Sequence, residues 1–236
     1  MKAFLFWGGL AGLTLGIGAL IAATYMGLSP IIAADLVGIV VLASYWMFLV
    51  APTLDTHLSW RQRIDKIAIY WLWVSSITHT TWELAWCFAH PYLHDVGPYD
   101  QWSWIFWAYG VADHRYLLSD TFVVPMEWVT SVVGGPMAFI SIYWLRKGKL
   151  LWGQAMVCAL SIMEAYGTVL YWGTEWANGW QLVDRSNWIS WYVKFWGLNG
   201  LWVIFPTLTV YASYRWISEK VGSAADGAPN PLMFAK

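Results

Sequence analysis

The sequence predicts an all-α membrane protein with six transmembrane helices. Hydrophobic residues make up 59% of the 236-residue chain and charged residues only 11%, whereas a soluble domain carries roughly 25% charged residues. Apolar segments recur along the chain, and a helix of about 20 apolar residues crosses the hydrocarbon layer. The sequence contains no basic tract of the kind that indicates a nucleic-acid partner.

Six apolar segments separate clearly along the chain. The first follows Met1 and Lys2 and is long for a signal peptide, so we expect a retained helix rather than a cleaved one. The segments are 3–28, 32–52, 67–89, 121–145, 150–172 and 188–216. The remaining residues, 217–236, include the polar stretch GSAADGAPNP and are predicted to form a disordered cytoplasmic tail.

Basic residues are divided unevenly between the two sides of the predicted bundle. Only Arg115 and Arg185 fall on one side, and Lys194 lies inside the last span. Because basic residues favour the cytoplasmic side of a membrane, both termini are expected to be cytoplasmic. The ten residues on that side are Lys2, Arg61, Arg63, Lys66, Arg146, Lys147, Lys149, Arg215, Lys220 and Lys236.

The third segment carries an imidazole and a carboxylate. His79 and Glu83 are four residues apart, so both side chains lie on one helical face, and Ser75 and Ser76 extend this polar stripe by a turn. Ionisable groups in hydrocarbon cost several kcal/mol unless they face a partner or a cavity. The pair therefore indicates a functional site.

Three other spans place polar side chains at a similar depth. Counted at ~1.5 Å per residue, these groups lie roughly 9 to 16 Å from the non-cytoplasmic ends of their helices. One shared cavity is the simplest arrangement that satisfies them all, and a structural hydrogen-bond network between helices is the alternative. They are His79, Glu83, Glu127 with Thr130, Glu164, and Asn199 with Trp202.

Such a set favours proton transfer on an apolar substrate. Imidazole and carboxylate groups move protons, and we expect neither a cofactor nor a metal. A metal held by His79, Glu83 and Glu127 is a weaker alternative, because no second histidine lies in a span. Protonating an alkene gives a carbocation, which the face of Trp202 would stabilise by about 2 kcal/mol when desolvated.

Two features have other expected roles. Lys194 lies five residues before Asn199, about 140° round an α-helix, so its ammonium is expected to extend to the interface, with a salt bridge to Glu164 or Glu175 as the alternative. The loop 90–120 is rich in aromatic residues. Because Trp and Tyr favour the headgroup region, this loop is expected to lie on or re-enter the membrane surface.

Five motifs, in the same order and at similar spacing, resemble the emopamil-binding protein family, the sterol Δ8-Δ7 isomerases of the EXPERA superfamily. The motifs are HTTWE at His79–Glu83, DHRYLLSDTFVVPMEWVT at 113–130, GGP at 134–136, YGTVLYWGTE at 166–175 and NGLWVIFP at 199–206. The resemblance implies that 31–216 form a five-helix isomerase domain enclosing a lipid-accessible cavity. Residues 1–30 would then be an extra N-terminal transmembrane helix.

The resemblance also implies residue roles. A proton is delivered to C9 of a Δ8 sterol and a proton is lost from C7. His79 and Glu83 would form the proton shuttle, and Glu127 would supply charge balance or a second proton relay. The substrate would be positioned by Asn199 and Thr130 and its cation stabilised by Trp202. Supporting residues would be Glu164, Tyr171, Asp113, Arg115, Tyr116 and Asp120.

The chain departs from the family pattern at a few positions. Glu164 and Thr168 occur where relatives carry Gln and Asp, and Lys194 occurs where an aromatic residue is usual. A cation facing a carbocation pocket is unfavourable, so an inward-pointing Lys194 would argue against a standard sterol substrate.

The sequence therefore predicts an isomerase that shifts a C=C bond in a sterol or another polycyclic lipid. A non-catalytic protein that binds lipids or amines, an isomerase or cyclase of another isoprenoid, and a purely structural membrane protein stay open. Expected partners are membrane lipids and cationic amphiphilic amines as inhibitors, and a homodimer is left open. The membrane would be the endoplasmic reticulum in a eukaryote and the inner or plasma membrane in a bacterium.

Overall fold

A computed structural model describes residues 1–225 of the chain, and this part is helical without β-strands. It contains seven helices joined by short connections. They are α1 (Lys2–Tyr25), α2 (Pro30–Leu54), α3 (60–89), α4 (Trp104–Gly110), α5 (Val123–Arg146), α6 (Leu150–Ala177) and α7 (189–225). The predicted all-α class is confirmed for this part of the chain.

Four of these helices are long and apolar enough to cross a membrane, namely α1, α2, α5 and α6. The other two predicted spans lie within α3 and α7, which are also long but carry charged residues at their ends, such as Arg61 and Lys220. Helices suit a bilayer because they satisfy their backbone hydrogen bonds internally. An exposed apolar surface on several helices agrees with contact with lipid.

Local sequence signals explain where the helices begin and bend. Before α3, Ser59 and Gln62 form a reciprocal capping box, in which the Ser59 hydroxyl accepts from the Gln62 amide and the Gln62 side chain accepts from the Ser59 amide. Pro30 opens α2 at a position where its missing N–H costs nothing. A glycine with a φ of 73°, Gly148, forms the tight turn between α5 and α6.

Four of the described helices contain π-helical turns, and three of these turns carry polar residues singled out from the sequence. Those three turns span His79–Glu83 in α3, Thr130–Gly134 in α5 and Ile189–Leu198 in α7. A π-helix closes i→i+5 hydrogen bonds and is often found at functional sites. The sequence prediction assumed α-helical geometry throughout, so it placed residues of α7 on the wrong faces.

The GGP motif allows α5 to pack closely on α3. A Cβ atom at Gly135 would lie 2.5 Å from Cγ2 of Thr80, and one at Gly134 would lie 3.0 Å from Cε of Met163 on α6. The motif therefore acts as a packing element between α5 and its neighbours. It brings the backbone of α5 against the turn that carries His79.

Helix α1 packs on α2 through a glycine-rich face. A Cβ atom at Gly9 would lie 2.7 Å from the carbonyl oxygen of Ser44, and one at Gly12 would lie 2.0 Å from its hydroxyl oxygen. At one end of α1, Lys2 forms an ion pair with Asp55. The extra helix is therefore fixed to the bundle mainly by close backbone approach.

We expect Gly12→Leu to lower the stability of the protein by about 1–3 kcal/mol, because the added side chain overpacks the contact with Ser44. Gly18→Leu on the same helix is the matched control, since a Cβ atom there would meet nothing within 4 Å. Thermal unfolding in detergent measures both variants. Equal unfolding temperatures for the two would contradict this account of how α1 is held.

The aromatic loop 90–120 packs in part against the helical bundle. Helix α4 buries Trp104 and Trp107 against Ala33 and Ala34 of α2, and the Trp104 indole donates to the carbonyl of Pro30. Other parts of the loop are exposed, among them Tyr92, Tyr99, Trp102 and Leu118. The indole and phenyl rings of α4 thus cover one end of the bundle.

The predicted disordered tail begins too early. Helix α7 continues through Ala225 instead of ending near residue 216, and Arg215 pairs with Asp65 at the start of α3. Exposed Glu219 likewise pairs with Arg61. These contacts hold α7 against α3 beyond residue 214, and residues 226–236 lie outside the described residues.

Candidate functional site

Most of the predicted polar residues line one cavity of about 470 Å³, bordered by residues of all seven helices and by Tyr116 of the loop 90–120. That volume is typical of a small-molecule site. Most of the lining is aliphatic or aromatic. The predicted residues that line it are His79, Glu83, Glu127, Thr130, Glu164, Tyr116, Tyr171, Asn199 and Trp202.

His79 is bound on both sides by carboxylates. Its Nδ1 hydrogen-bonds to Oε2 of Glu83, and its Nε2 lies 3.2 Å from Oε1 of Glu164. The ring is almost fully buried. A buried imidazole between two carboxylates can take up a proton at either nitrogen or pass it to either acid.

Glu164 is fixed by two donors from α3. The indole of Trp71 donates to its Oε2 at 2.8 Å, and the hydroxyl of Ser75 donates to its Oε1. Trp71, Ser75 and His79 follow one another at four-residue intervals on a single face of α3. This arrangement fixes the carboxylate on the Nε2 side of His79.

The other two acids are fixed by hydroxyl groups. Thr130 donates to Oε2 of Glu83 at 3.0 Å, and Tyr116 donates to Oε1 of Glu127. Burial raises the pKa of the Tyr116 phenol well above its usual range, and the negative charge of Glu127 raises it further. The phenol therefore stays protonated and serves as a donor.

Trp202 and Asn199 border the same region from α7. The Trp202 ring lies 6.3 Å from the His79 ring between centroids and packs edge-on against Trp71 at 5.1 Å. The side-chain amide of Asn199 donates to the hydroxyl of Tyr109 at 2.9 Å. These contacts hold an indole and an amide beside the imidazole.

Asp113 and Arg115 lie next to the cavity but are not among the described residues that line it. Both are buried and form a bidentate pair, and Arg115 also donates to the carbonyl of Tyr171. Burial alone would lower the pKa of Arg115, but its hydrogen bonds to Asp113 and the neighbouring negative charges raise it. Tyr171 donates to Asp113 and lies under the guanidinium at 4.1 Å.

Asp120 has a local structural role. Its Oδ1 accepts from the backbone amides of Phe122 and Val123 at 2.9 and 3.0 Å, which are orphan donors at the start of α5. It is not among the described residues that line the cavity. Its contribution is therefore to the entry of the chain into α5, the helix that carries Glu127.

Lys194 does not extend to the interface, and the prediction was wrong. Its side chain is 1% exposed, and its ammonium contacts Oδ1 of Asp35 at 3.1 Å and the carbonyl of Ala108 at 2.9 Å. Neither predicted alternative acid, Glu164 or Glu175, is its partner. Because 189–198 form a π-helix, residues five apart lie about one turn apart, so Lys194 shares the cavity face with Asn199.

The extra N-terminal helix contributes to the cavity wall. Leu10, Leu13, Thr14 and Ile17 of α1 line the cavity. The resemblance implied a cavity enclosed by five helices alone. In this chain α1 adds a further, mainly apolar surface to the cavity.

Three groups at the site were not identified from the sequence. Trp71, Tyr109 and Asp35 bind Glu164, Asn199 and Lys194 respectively. Tryptophan and tyrosine are abundant in this chain, so the sequence does not show that Trp71 and Tyr109 in particular bind site residues. Within residues 1–225, no group of His, Cys, Asp and Glu side chains has the arrangement of a metal site.

The described part of the chain is an α-helical membrane protein whose buried acids and imidazole face an apolar cavity. A model of the EXPERA (expanded EBP) superfamily matches residues 101–213. A protoglabretal synthase of Ailanthus altissima is 27% identical over 75% of this chain and 78% of its own. The 3-beta-hydroxysteroid-Delta(8),Delta(7)-isomerase of Rattus norvegicus is 28% identical over 65% of this chain and 66% of its own. The mouse isomerase of the same name is 32% identical over 47% of this chain.

These similarities agree with the resemblance that the motifs predicted: the chain is similar to members of the emopamil-binding protein family. The match to the family model lies over the loop before α5 and over helices α5, α6 and most of α7. It begins after the turn that carries His79 and Glu83. For those two residues the similarity to the family is seen in the motif HTTWE, and the structure places both of them on the cavity.

Proposed function

We propose that this protein is an integral membrane isomerase that moves a C=C bond from Δ8 to Δ7 in a sterol or sterol-like lipid. The observation that carries the proposal is the buried imidazole of His79, held between Glu83 and Glu164 beside an apolar cavity. Relatives named 3-beta-hydroxysteroid-Delta(8),Delta(7)-isomerases support this reaction class. A cavity lined mainly by apolar side chains suits a lipid substrate.

In the proposed reaction the alkene takes up one proton and releases another. The His79–Glu83 pair delivers a proton to C9, which leaves a cation at C8. A proton is then lost from C7 to a carboxylate, and its electron pair forms the Δ7 bond. Glu127 lies on the same cavity and acts as the second proton relay or as charge balance. No net proton is gained, so the reaction needs no co-reactant.

Other residues would position these groups and stabilise the cation. Trp202 presents an indole beside His79, where an aromatic face attracts a positive charge by about 2 kcal/mol when desolvated. Thr130 orients Glu83. Asn199, hydrogen-bonded to Tyr109, would position the substrate against this face.

The ion pair of Lys194 removes an objection to a sterol substrate. An unpaired ammonium on the cavity wall would repel a carbocation. Asp35 lies 3.1 Å from it, so the net charge of the pair is close to zero. A cationic intermediate near His79 is therefore compatible with a lysine at position 194, where the family usually has an aromatic residue.

The architecture that accompanies this function has six membrane spans. Helices α3 and α7 would join the four apolar helices, with residues 31–216 forming a five-helix isomerase domain and 1–30 an added span. Both termini would be cytoplasmic. The host membrane would be the endoplasmic reticulum in a eukaryote and the inner or plasma membrane in a bacterium, and a homodimer stays open. Cationic amphiphilic amines would inhibit by imitating the carbocation.

The test is to incubate the purified protein with a Δ8 sterol in heavy water and analyse the product by mass spectrometry and NMR. We expect a Δ7 sterol, with deuterium at C9 if the relayed proton exchanges with solvent. Glu83→Gln is the inactive control. Absence of turnover by the wild type as well as by this variant would remove the proposal, and binding of the sterol without turnover would select a non-catalytic lipid-binding protein.

A second candidate is the same proton chemistry on another isoprenoid. Relatives named protoglabretal synthase and isomeliandiol synthase are about as similar to this chain as the sterol isomerases are. Incubating the protein with a lipid extract and comparing the isomers before and after would separate the two. Conversion of a non-sterol lipid, with the Δ8 sterol untouched, would select the second candidate.

A further inference from the structure

The cavity has a second polar position, at Lys194 on α7. Lys194 lines the cavity together with Asn199 and Trp202 of the same helix. Lys194 and Trp202 are eight residues apart, which places them on the order of 10 Å apart along the helix. Trp202 adjoins His79, so the lysine lies away from the proton-transfer groups, towards the other end of the cavity.

The lysine side chain is held in a fitted position. It crosses α2 at Gly38, where a Cβ atom would lie 2.9 Å from Cγ of Lys194 and 3.0 Å from its Cε. One turn earlier on the same helix, Asp35 accepts from the ammonium and is itself bound by the side-chain amide of Asn187 at 3.0 Å. The ammonium is therefore directed by three separate elements: α2, the segment before α7 and Ala108 of α4.

These contacts account for two of the three N–H donors of the ammonium, one to Asp35 and one to the carbonyl of Ala108. Asp35 balances the charge. A neutral hydrogen-bond acceptor thus suits the remaining donor better than an anion does, because the pair has no net positive charge to offer. Around it the cavity wall is apolar, with Ala34, Val37 and Val41 of α2.

We infer that Lys194 binds a hydroxyl or keto oxygen at the polar end of the lipid substrate and so sets its orientation relative to His79. This inference rests on the proposed function, which identifies the end of the lipid that reacts. It adds Lys194 to the site as a specificity-determining residue. A lipid whose only oxygen lies at one end of a rigid ring system would enter with that oxygen at Lys194 and its double bond at the acids.

The inference is tested by equilibrium binding of three ligands to the detergent-solubilised protein: a Δ8 sterol with a 3β-hydroxyl, its 3-keto analogue and its 3-deoxy analogue. Hydrogen bonds to charged groups are strong, so the wild type is expected to bind the first two roughly tenfold more tightly than the third. The double variant Lys194→Met with Asp35→Asn is expected to bind all three alike. It removes both charges together and so avoids a buried unpaired ion.

Lys149→Met, at an exposed position in the turn before α6, is the matched control and should keep the tenfold preference. Thermal unfolding confirms that the double variant is folded. A preference that persists in the double variant, or that is missing from the wild type, overturns the inference. Binding is measured without turnover, so the two proposals can fail separately. If the wild type prefers the oxygen-bearing ligands but does not isomerise the sterol, only the proposed function is overturned. If it isomerises the sterol without that preference, only the role of Lys194 is overturned.

Discussion

Glu83→Gln is expected to reduce kcat by roughly 10³-fold while leaving sterol affinity within a few-fold of the wild type. The substitution keeps the volume of the side chain and an acceptor for Thr130, but it removes the carboxylate that is hydrogen-bonded to Nδ1 of His79 and that exchanges a proton with it in the proposed reaction. Positioned acid–base groups contribute about 10²–10⁴-fold to rate. The measurement is single-turnover conversion of a Δ8 sterol, with binding determined separately.

The matched control is Glu219→Gln, which changes the same residue type in an exposed ion pair with Arg61. It should leave the rate unchanged. A purely structural role for the site predicts the opposite pattern, in which Glu83→Gln lowers the unfolding temperature and the rate follows the folded fraction. Residual activity above about a tenth of the wild type would contradict a role for Glu83 in proton transfer.

Arg115→Met is expected to have the largest effect on stability, a loss of about 3–5 kcal/mol in the free energy of unfolding. The substitution leaves the carboxylate of Asp113 buried without its cation, and it removes donors to Tyr171 and Thr174 of α6. One oxygen of Glu175, 3.9 Å from the guanidinium, would also lose its nearest cation. Thermal or denaturant unfolding in detergent gives the change.

Arg61→Met is the comparison, because its ion pair with Glu219 is exposed and exposed pairs contribute about 0–1 kcal/mol. Adding Asp113→Asn to Arg115→Met should recover part of the lost stability, since no buried charge is then left unpaired. If the two arginine variants were equally stable, the Asp113–Arg115 pair would not be the element that fixes the loop 90–120 on α6.

The fold class and the main acids could be predicted from the sequence because hydrocarbon penalises ionisable groups. Within apolar segments, His79, Glu83, Glu127 and Glu164 stand out individually, and the structure brings all of them to one cavity. The sequence predicts six membrane spans, whereas four helices within the described residues are long and apolar enough to cross a membrane. The polar groups that mark the site also reduce the hydropathy of the helices that carry them.

The contacts of Lys194 could not be predicted, for a geometric reason. Helical periodicity was applied with α-helical spacing, and the π-helical stretch Ile189–Leu198 changes which residues share a face. No residue type marks such a stretch in the sequence. Tyr109 was missed for a different reason: it lies in a loop predicted to face the headgroups, and only the packing of α4 against α2 brings its hydroxyl to Asn199.

The helix α1 presents only Leu10, Leu13, Thr14 and Ile17 to the cavity and therefore no ionisable group. The shape of the chamber on that side is thus independent of the residues that handle protons. Exchanging those four side chains would reshape this part of the wall without changing the acids, so under the proposed function the choice of lipid and the proton chemistry would be set by separate parts of the chain.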